Sequence, residues 1–273
     1  MQLTRHQTAA GPCWALDGQL LPPGLTLSAL LSLPQSAMAS LLQSFATQRT
    51  NQVSNQPTLA PIEPNQEVWG SGVTYLRSRD ARKAESTVAD VYQKVYDAER
   101  PEIFFKQLGW RTVGSGDAVR IRADSHWNVP EPELTLVINA HGEIVGYTVG
   151  NDMSSRDIEG ANPLYLPQAK TYNGSCAVGP AIQLATADQL TNLTIKLQIE
   201  RNGDMVFEGE TSTANMKRNF PELAAYLCRE LDFPHGVLLM TGTGIVPGDS
   251  FTLEVGDLIR IAIEGLVLDN RVA

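Results

Sequence analysis

The chain has 273 residues, 42% of them apolar and 19% charged, which is enough to bury a sizeable core and argues against intrinsic disorder. A net charge of −9 and a pI near 5.0, without any long Lys/Arg run, argue against a nucleic-acid partner. Cys13, Cys176 and Cys228 are too scattered for a disulfide framework or a zinc site, which fits a reducing cytoplasm. The leucine-rich stretch from Leu20 is broken by Pro22, Pro23 and Gly24, so neither a signal peptide nor a membrane span is read.

From Cys13 to Gln19 the sequence reads as a short strand. Thr26 is placed to N-cap a helix carrying Leu27, Leu30 and Leu31; Pro34 interrupts it and Ser36 restarts it through Leu41, Leu42 and Phe45. Residues 47–66 are polar, contain three prolines and show no period, so they read as a linker. This puts a domain boundary near Asn65, with a small α+β cap over 1–64 and a larger domain over 65–273. Val73 to Leu76 reads as a strand ahead of a charge-rich stretch, in which Arg77 and Arg79 are either carboxylate binders or part of a solvated basic turn. Val88, Val91, Tyr92 and Val95 have the spacing of an amphipathic helix that ends before Pro101. The next strand carries Glu102 and Lys106 on one face. Gly114 to Asp117 is a turn with a backbone role only, since the context of a phosphate-binding loop is missing.

The stretch WNVPEPELTLVINAHGEIVGYTVGNDMSSRD, Trp127 to Asp157, holds the densest candidate chemistry. Glu131 and Glu133 stand two apart at the head of the run LTLVI, so on a strand both leave the same face, with Pro132 opposite. A two-residue turn at His141-Gly142 sets Glu131 opposite Asp152, and a bulge would shift that register by one. Three carboxylates this close repel unless a hard divalent cation sits among them, and Mg²⁺ is the first choice. The alternative is that the glutamates are solvated charges guarding an edge strand. Ser154 and Asp157 have capping-box spacing for a short helix, which leaves Asp152 at a strand end. His126, five residues before Glu131, is left out of the site, because a lone histidine is more often hydrogen-bonded structure.

Beyond this stretch, LTIKLQIERNGDMVFEGETST reads as a hairpin with a type I′ turn at Asn202-Gly203, and Phe220 to Leu231 as an amphipathic helix. A buried strand from Gly236 runs into the loop TGTG. The last stretch alternates Leu258, Arg260 and Ala262 against Ile259, Ile261 and Ile263, closing a predominantly β domain.

GYTVGNDMSSRDIEG, followed by QAKTYNGSCAVGPAI and later by TGTG, is similar to the fumarylacetoacetate hydrolase family, a likeness that runs from about Trp69 to the C-terminus. The resemblance implies an α+β fold: a mixed, mostly antiparallel β-roll with a small N-terminal α+β domain and a metal at the mouth of the roll. It implies that Glu131, Glu133 and Asp152 hold Mg²⁺, with Mn²⁺ or Ca²⁺ as substitutes. Lys170 becomes the lysine near metal and substrate, a candidate acid or base whose ammonium form is penalised beside a divalent cation. Glu102, on a strand that passes the metal, is a second candidate for proton transfer. Thr241 and Thr243 match a loop that binds substrate oxygen through hydroxyl and backbone donors, and Lys106, Arg77 and Arg79 are candidates to bind an anionic substrate.

Hydrolytic members of the family carry a water-activating histidine in the stretch corresponding to Val73 to Ser86, whereas this chain has no histidine between His6 and His126. NVPEPEL, GNDMSSRDIEG and NPLYLPQAK resemble the family's 2-keto-3-deoxy sugar-acid dehydratases. The implied activity is Mg²⁺-dependent dehydration of a 2-keto-3-deoxy pentonate to 2,5-dioxopentanoate, by a homodimer or higher homo-oligomer with no nucleic-acid or membrane partner. The alternatives are a carbon–carbon hydrolase or decarboxylase acting on acylpyruvate-like 2,4-diketo acids, and a non-catalytic metal-binding member.

Overall fold

The computed structural model describes residues 1–47, 57–85 and 89–273. The N-terminal segment supplies β1 (Gln2–Thr8), β2 (Gly11–Leu16), β3 (Gln19–Leu20), α1 (Leu27–Leu31), α2 (Gln35–Thr47) and β4 (Thr58–Leu59). There follow β5 (Glu67–Gly72), α3 (Leu76–Glu85), α4 (Ala89–Asp97), β6 (Glu102–Leu108), β7 (Ala118–Val119) and β8 (Asn128–Val129). The hairpin of β9 (Pro132–Ile138) and β10 (Ile144–Asp152) leads through β11 (Ser154–Ser155), α5 (Arg156–Ala161) and α6 (Leu166–Lys170) to β12 (Cys176–Leu184). The chain closes with β13 (Thr194–Arg201), β14 (Asp204–Ser212), α7 (Phe220–Leu227), β15 (Val237–Met240), β16 (Leu258–Ile263) and β17 (Leu266–Val272).

Ten strands make one mixed sheet in the order β3-β2-β1-β12-β10-β9-β15-β5-β6, with β4 added on β1, and five make a second sheet, β14-β13-β16-β17-β7. The pairings are antiparallel except β15 with β5 and β17 with β7. The result is the expected α+β roll, open rather than closed into a barrel. The two-residue period of the strands explains its layers. Leu134, Leu136 and Ile138 of β9 face the second sheet, where Ile195, Leu197, Ile259 and Ile261 complete the core. Val137 faces the other way, into a core closed by Leu27, Leu30 and Leu31 of α1 and Met38 and Leu42 of α2. Thr26 caps α1 by accepting from the Ala29 N–H, and Asn202 and Gly203 take the positive φ values that a type I′ turn requires.

Three expectations are corrected. The strand expected at Val73 to Leu76 ends at Gly72: Val73 has φ 54°, a left-handed conformation that cannot continue a strand, and Leu76 opens α3. The described part of the expected linker is bound into the fold, because Glu63 is buried and its carboxylate accepts from the N–H groups of Leu27 and Ser28 at 2.7 and 2.9 Å, from Ser28 Oγ at 2.5 Å and from Trp14 Nε1 at 3.0 Å. Residues 48–56 of that linker, and Val88 of the expected helix, lie outside the described residues. The short helix after Asp152 takes Ser155, not Ser154, as its N-cap residue, without a side-chain capping bond, since Ser154 and Ser155 both belong to the short ladder with Val129 and Asn128 and the helix opens only at Arg156. β1, which no sequence pattern marked, pairs with β12 through Leu3 and Ile182, so the large sheet continues across the boundary near Asn65.

Candidate active site

The site is built on the β9–β10 hairpin. Its loop is one residue longer than the expected two-residue turn: the Asn139 N–H donates to the Glu143 carbonyl at 3.0 Å, and Ala140, His141 and Gly142 span the gap. Ile144 accordingly pairs with Ile138, but a bulge at Val145 moves the register by one, so that Gly150 pairs with Glu133 and Asn151 with Pro132. Glu131 and Asp152 then exchange two backbone hydrogen bonds of 3.0 and 3.2 Å. The longer loop and the bulge offset each other, and Asp152 stands opposite Glu131 as the sequence implied. Without the bulge Glu131 would oppose Asn151, and Asp152 would leave the far side of the sheet.

Oxygen atoms of Glu131, Glu133 and Asp152 lie within 4.8 Å of one another. Their exposures of 4, 2 and 1% rule out solvated charges on an edge strand, as does the position of β9 between β10 and β15. Three cations compensate the triad unevenly. Lys170 Nζ is 2.8 Å from Asp152 Oδ2 and 3.1 Å from Glu131 Oε2, Arg156 Nη2 is 3.1 Å from Glu131 Oε1, and Lys106 Nζ is 2.5 Å from Asp152 Oδ1. Glu133 has no ion pair among the described residues; the Gly242 N–H donates to its Oε2 at 2.5 Å. Only glycine fits at 242, because its φ is 88° and a Cβ there would stand 2.1 Å from Thr74 Oγ1.

Burial, and then the charges of Asp152 and Glu131, push the Glu133 carboxyl well above the usual carboxylate range, although Lys170 and the Gly242 N–H partly oppose the shift. A buried, poorly compensated charge among hard oxygen donors fits a divalent cation of the Mg²⁺ class. Among the described residues the grouped ligand atoms are all carboxylate oxygens, with no Cys or His among them.

Beside the triad opens a cleft whose walls include Gly72, Ser78, Glu102, Phe104, Glu159, Leu166, Lys170 and Thr243. Lys170 reaches it from the end of α6, donating also to Ser154 Oγ at 2.6 Å, with its Nζ 5.6 Å from the centre of the Phe104 ring. Glu102 enters from β6 over Gly72, where a Cβ would stand 2.0 Å from its Oε2. Thr243 lines the cleft, whereas the Thr241 hydroxyl donates to the Leu134 carbonyl at 2.8 Å and ties the loop to β9.

The structure does not bring Arg77, Arg79 or Lys106 to the cleft wall. Arg77 is exposed, Arg79 pairs with Asp80 at 2.6 Å and lies over the Tyr96 ring, and Lys106 is fully buried. His126, His141 and His235 are exposed and likewise not on the wall. Arg156, Glu159 and Ser78 are site residues that the sequence reading passed over. The first two sit inside the word SSRDIEG, where a charged pair three apart on a helix turn was the available signal. Ser78 had none, because it falls in the charge-rich stretch after the strand expected at Val73 to Leu76, and no helix was expected there.

A model of the fumarylacetoacetate (FAA) hydrolase C-terminal domain matches residues 67–273. A probable 2-keto-3-deoxyxylonate dehydratase of Haloferax volcanii is 48% identical over 211 residues, covering 76% of this chain and 72% of that protein. A 2-dehydro-3-deoxy-D-arabinonate dehydratase of Saccharolobus solfataricus is 46% identical over 235 residues, covering 83% and 76%. A solved structure of 2-keto-3-deoxy-D-arabinonate dehydratase complexed with magnesium and 2,5-dioxopentanoate superposes with a TM-score of 0.82 at 37% identity, covering 100% of this chain and 98% of that one. The matched domain spans every residue of the carboxylate triad and the cleft, and the chain belongs to the fumarylacetoacetate hydrolase family.

Proposed function

We propose that this protein is a Mg²⁺-dependent hydro-lyase that converts 2-dehydro-3-deoxy-D-arabinonate to 2,5-dioxopentanoate. One observation carries the reading: a buried triad of hard oxygen donors stands in a chain 46–48% identical to two sugar-acid dehydratases. Glu131, Glu133 and Asp152 would hold the metal, with Mn²⁺ or Ca²⁺ as substitutes. When bound, Mg²⁺ supplies positive charge at the keto and carboxylate oxygens of the substrate, which acidifies the C3–H bond.

Lys170 and Glu102, which share the cleft wall, divide the two proton transfers. A proton leaves C3, the C4 hydroxyl departs with a proton as water, and the unsaturated alcohol that remains tautomerises to the aldehyde. Thr243 lines the cleft, but its hydroxyl donates to the Ile245 carbonyl at 3.2 Å, so it would have to leave that bond to donate to a substrate oxygen. No histidine stands among the described residues of the cleft wall, which favours departure of the substrate's own hydroxyl over attack by an activated water.

Among the described residues no helix is long and apolar enough to cross a membrane, and Cys13, Cys176 and Cys228 are free. The proposal extends to a cytoplasmic homo-oligomer in which residues 1–64 form a cap whose strands continue the large sheet of the domain formed by 65–273. Kinetics with Mg²⁺ on 2-dehydro-3-deoxy-D-arabinonate and on acylpyruvates test the function. The expected preference for the pentonate is at least ~10²-fold in kcat/KM, roughly 2.7 kcal/mol of transition-state discrimination. Comparable rates on the two classes would assign the protein to carbon–carbon cleavage instead.

A further inference from the structure

Lys106 has the chemistry to meet an anionic substrate, yet it is fully buried and its ammonium is already surrounded. Nζ lies 2.5 Å from Asp152 Oδ1, 2.9 Å from the Met153 carbonyl oxygen and 2.5 Å from the Lys170 carbonyl oxygen. Two of its three N–H donors go to the carbonyls and its charge pairs with Asp152 Oδ1, which accepts no hydrogen bond, so at full burial a substrate would have to displace one of these partners to reach it. Each partner belongs to the reaction centre: Asp152 is a member of the triad, Met153 follows it in the chain, and the Lys170 carbonyl closes the helix that carries the Lys170 side chain.

Its placement has a backbone cause. Val68 pairs with Gln107 and Trp69 with Phe105, which leaves Lys106 as the unopposed residue of a bulge in β6. A bulge re-aims the side chain it carries. Glu102 and Phe104 stay on the cleft wall, while Lys106 reaches the side of Asp152 away from the Lys170 ammonium.

We propose that Lys106 is a positioning residue that sets Asp152 and Lys170 relative to each other. Its ion pair with Oδ1 holds the Asp152 carboxylate in one rotation, with Oδ2 on the Lys170 ammonium, and its bond to the Lys170 carbonyl fixes the end of α6 against the same group. The proposal rests on the reading of the triad as a metal site.

Two cycles on the full chain test it. Calorimetric titration with Mg²⁺ is run on the wild type, Lys106→Met, Asp152→Asn and the double variant. Steady-state kinetics on the pentonate are run on the wild type, Lys106→Met, Lys170→Met and that double variant.

Lys106→Met is expected to weaken Mg²⁺ by ~10–100-fold, as loss of a group that orients a metal ligand does. It should lower kcat at saturating Mg²⁺ while KM changes by less than about threefold. On the Asp152→Asn or Lys170→Met background the further loss should be under about threefold, because Lys106 acts through those two residues. Lys106→Gln, which keeps an N–H donor for the carbonyls without the charge, replaces Lys106→Met if the latter does not fold. Fully multiplicative losses in both cycles, or Mg²⁺ affinity and kcat within about threefold of wild type, would overturn the proposal. So would a rise in KM with kcat preserved, which would return Lys106 to substrate binding. Wild type that takes up no Mg²⁺ overturns the metal reading and this proposal together, whereas a wild type that binds Mg²⁺ beside an unchanged Lys106→Met overturns this proposal alone.

Discussion

Lys170 stands within 3.1 Å of two members of the carboxylate triad and also forms part of the cleft wall, so the same ammonium touches the proposed metal ligands and the cleft. Proton transfer is a transition-state role, and Lys170→Met should therefore lower kcat far more than it raises KM. A fall of at least ~10²-fold, or roughly 2.7 kcal/mol, is expected from stopped-time assays at saturating substrate and Mg²⁺. A variant that keeps kcat within about threefold of wild type removes Lys170 from the chemistry. Glu131, Glu133 and Asp152 were candidates at this scale from their spacing, which by itself left solvated edge charges open; the family resemblance favoured a metal site, and their burial on an interior strand removes the edge-charge reading. Arg156 was not a candidate, since an arginine in a polar word looks like surface until its burial is seen.

At the scale of elements, the hairpin shows how close a register argument comes to failing. A strand's side chains alternate, so one residue of slip would have sent Asp152 to the opposite face from Glu131. The observed three-residue loop introduces that slip, and the bulge at Val145 removes it. The expected opposition holds while the expected turn does not. Helix α1 makes the complementary point: Thr26 as its cap was readable, but the Glu63 carboxylate that also receives its Leu27 and Ser28 N–H groups comes from a stretch that looked like linker. Glu63→Ala would leave those donors and the Trp14 N–H without their buried acceptor, and we expect a loss of about 2–4 kcal/mol in urea unfolding. Under saturating Mg²⁺ and substrate kcat should be unchanged, because Glu63 packs beneath the N-terminal helices and not at the cleft. A stability change under ~0.5 kcal/mol would return residues 57–66 to the status of a linker.

For the whole molecule, the raised Glu133 carboxyl links stability, pH and metal. Its folded-state value lies above its unfolded one, so in metal-free protein its contribution to stability is fully present below the ordinary carboxylate range. That contribution is lost as pH rises through the raised value. Metal needs the ionised carboxylate and releases that proton on binding. Thermal unfolding should therefore show metal-free Tm falling as pH is raised from about 5.5 to 8, with the gain from Mg²⁺ larger at the upper end. At about 100 times Kd the gain is ~2.7 kcal/mol, which corresponds to roughly 5 °C or more for a chain of this size. Equal Mg²⁺ gains at both pH values would mean that Glu133 does not exchange a proton for the ion.

What the sequence determined by itself was local and periodic. The two-residue alternation of β9 and β10 placed three carboxylates on one face, the 3.6-residue spacing after Ala89 marked α4, and the Asn202-Gly203 pair marked the turn of the second sheet. Only the tertiary structure decided which cations meet those carboxylates and what anchors the N-terminal segment. Lys106 contacts Asp152 and Lys170, Arg156 contacts Glu131, and β1 completes a sheet with β12 across most of the chain. Such contacts join residues that share no period. They depend on where a bulge aims one side chain and on which buried charge lies within reach, and these are set by packing after the strands have formed.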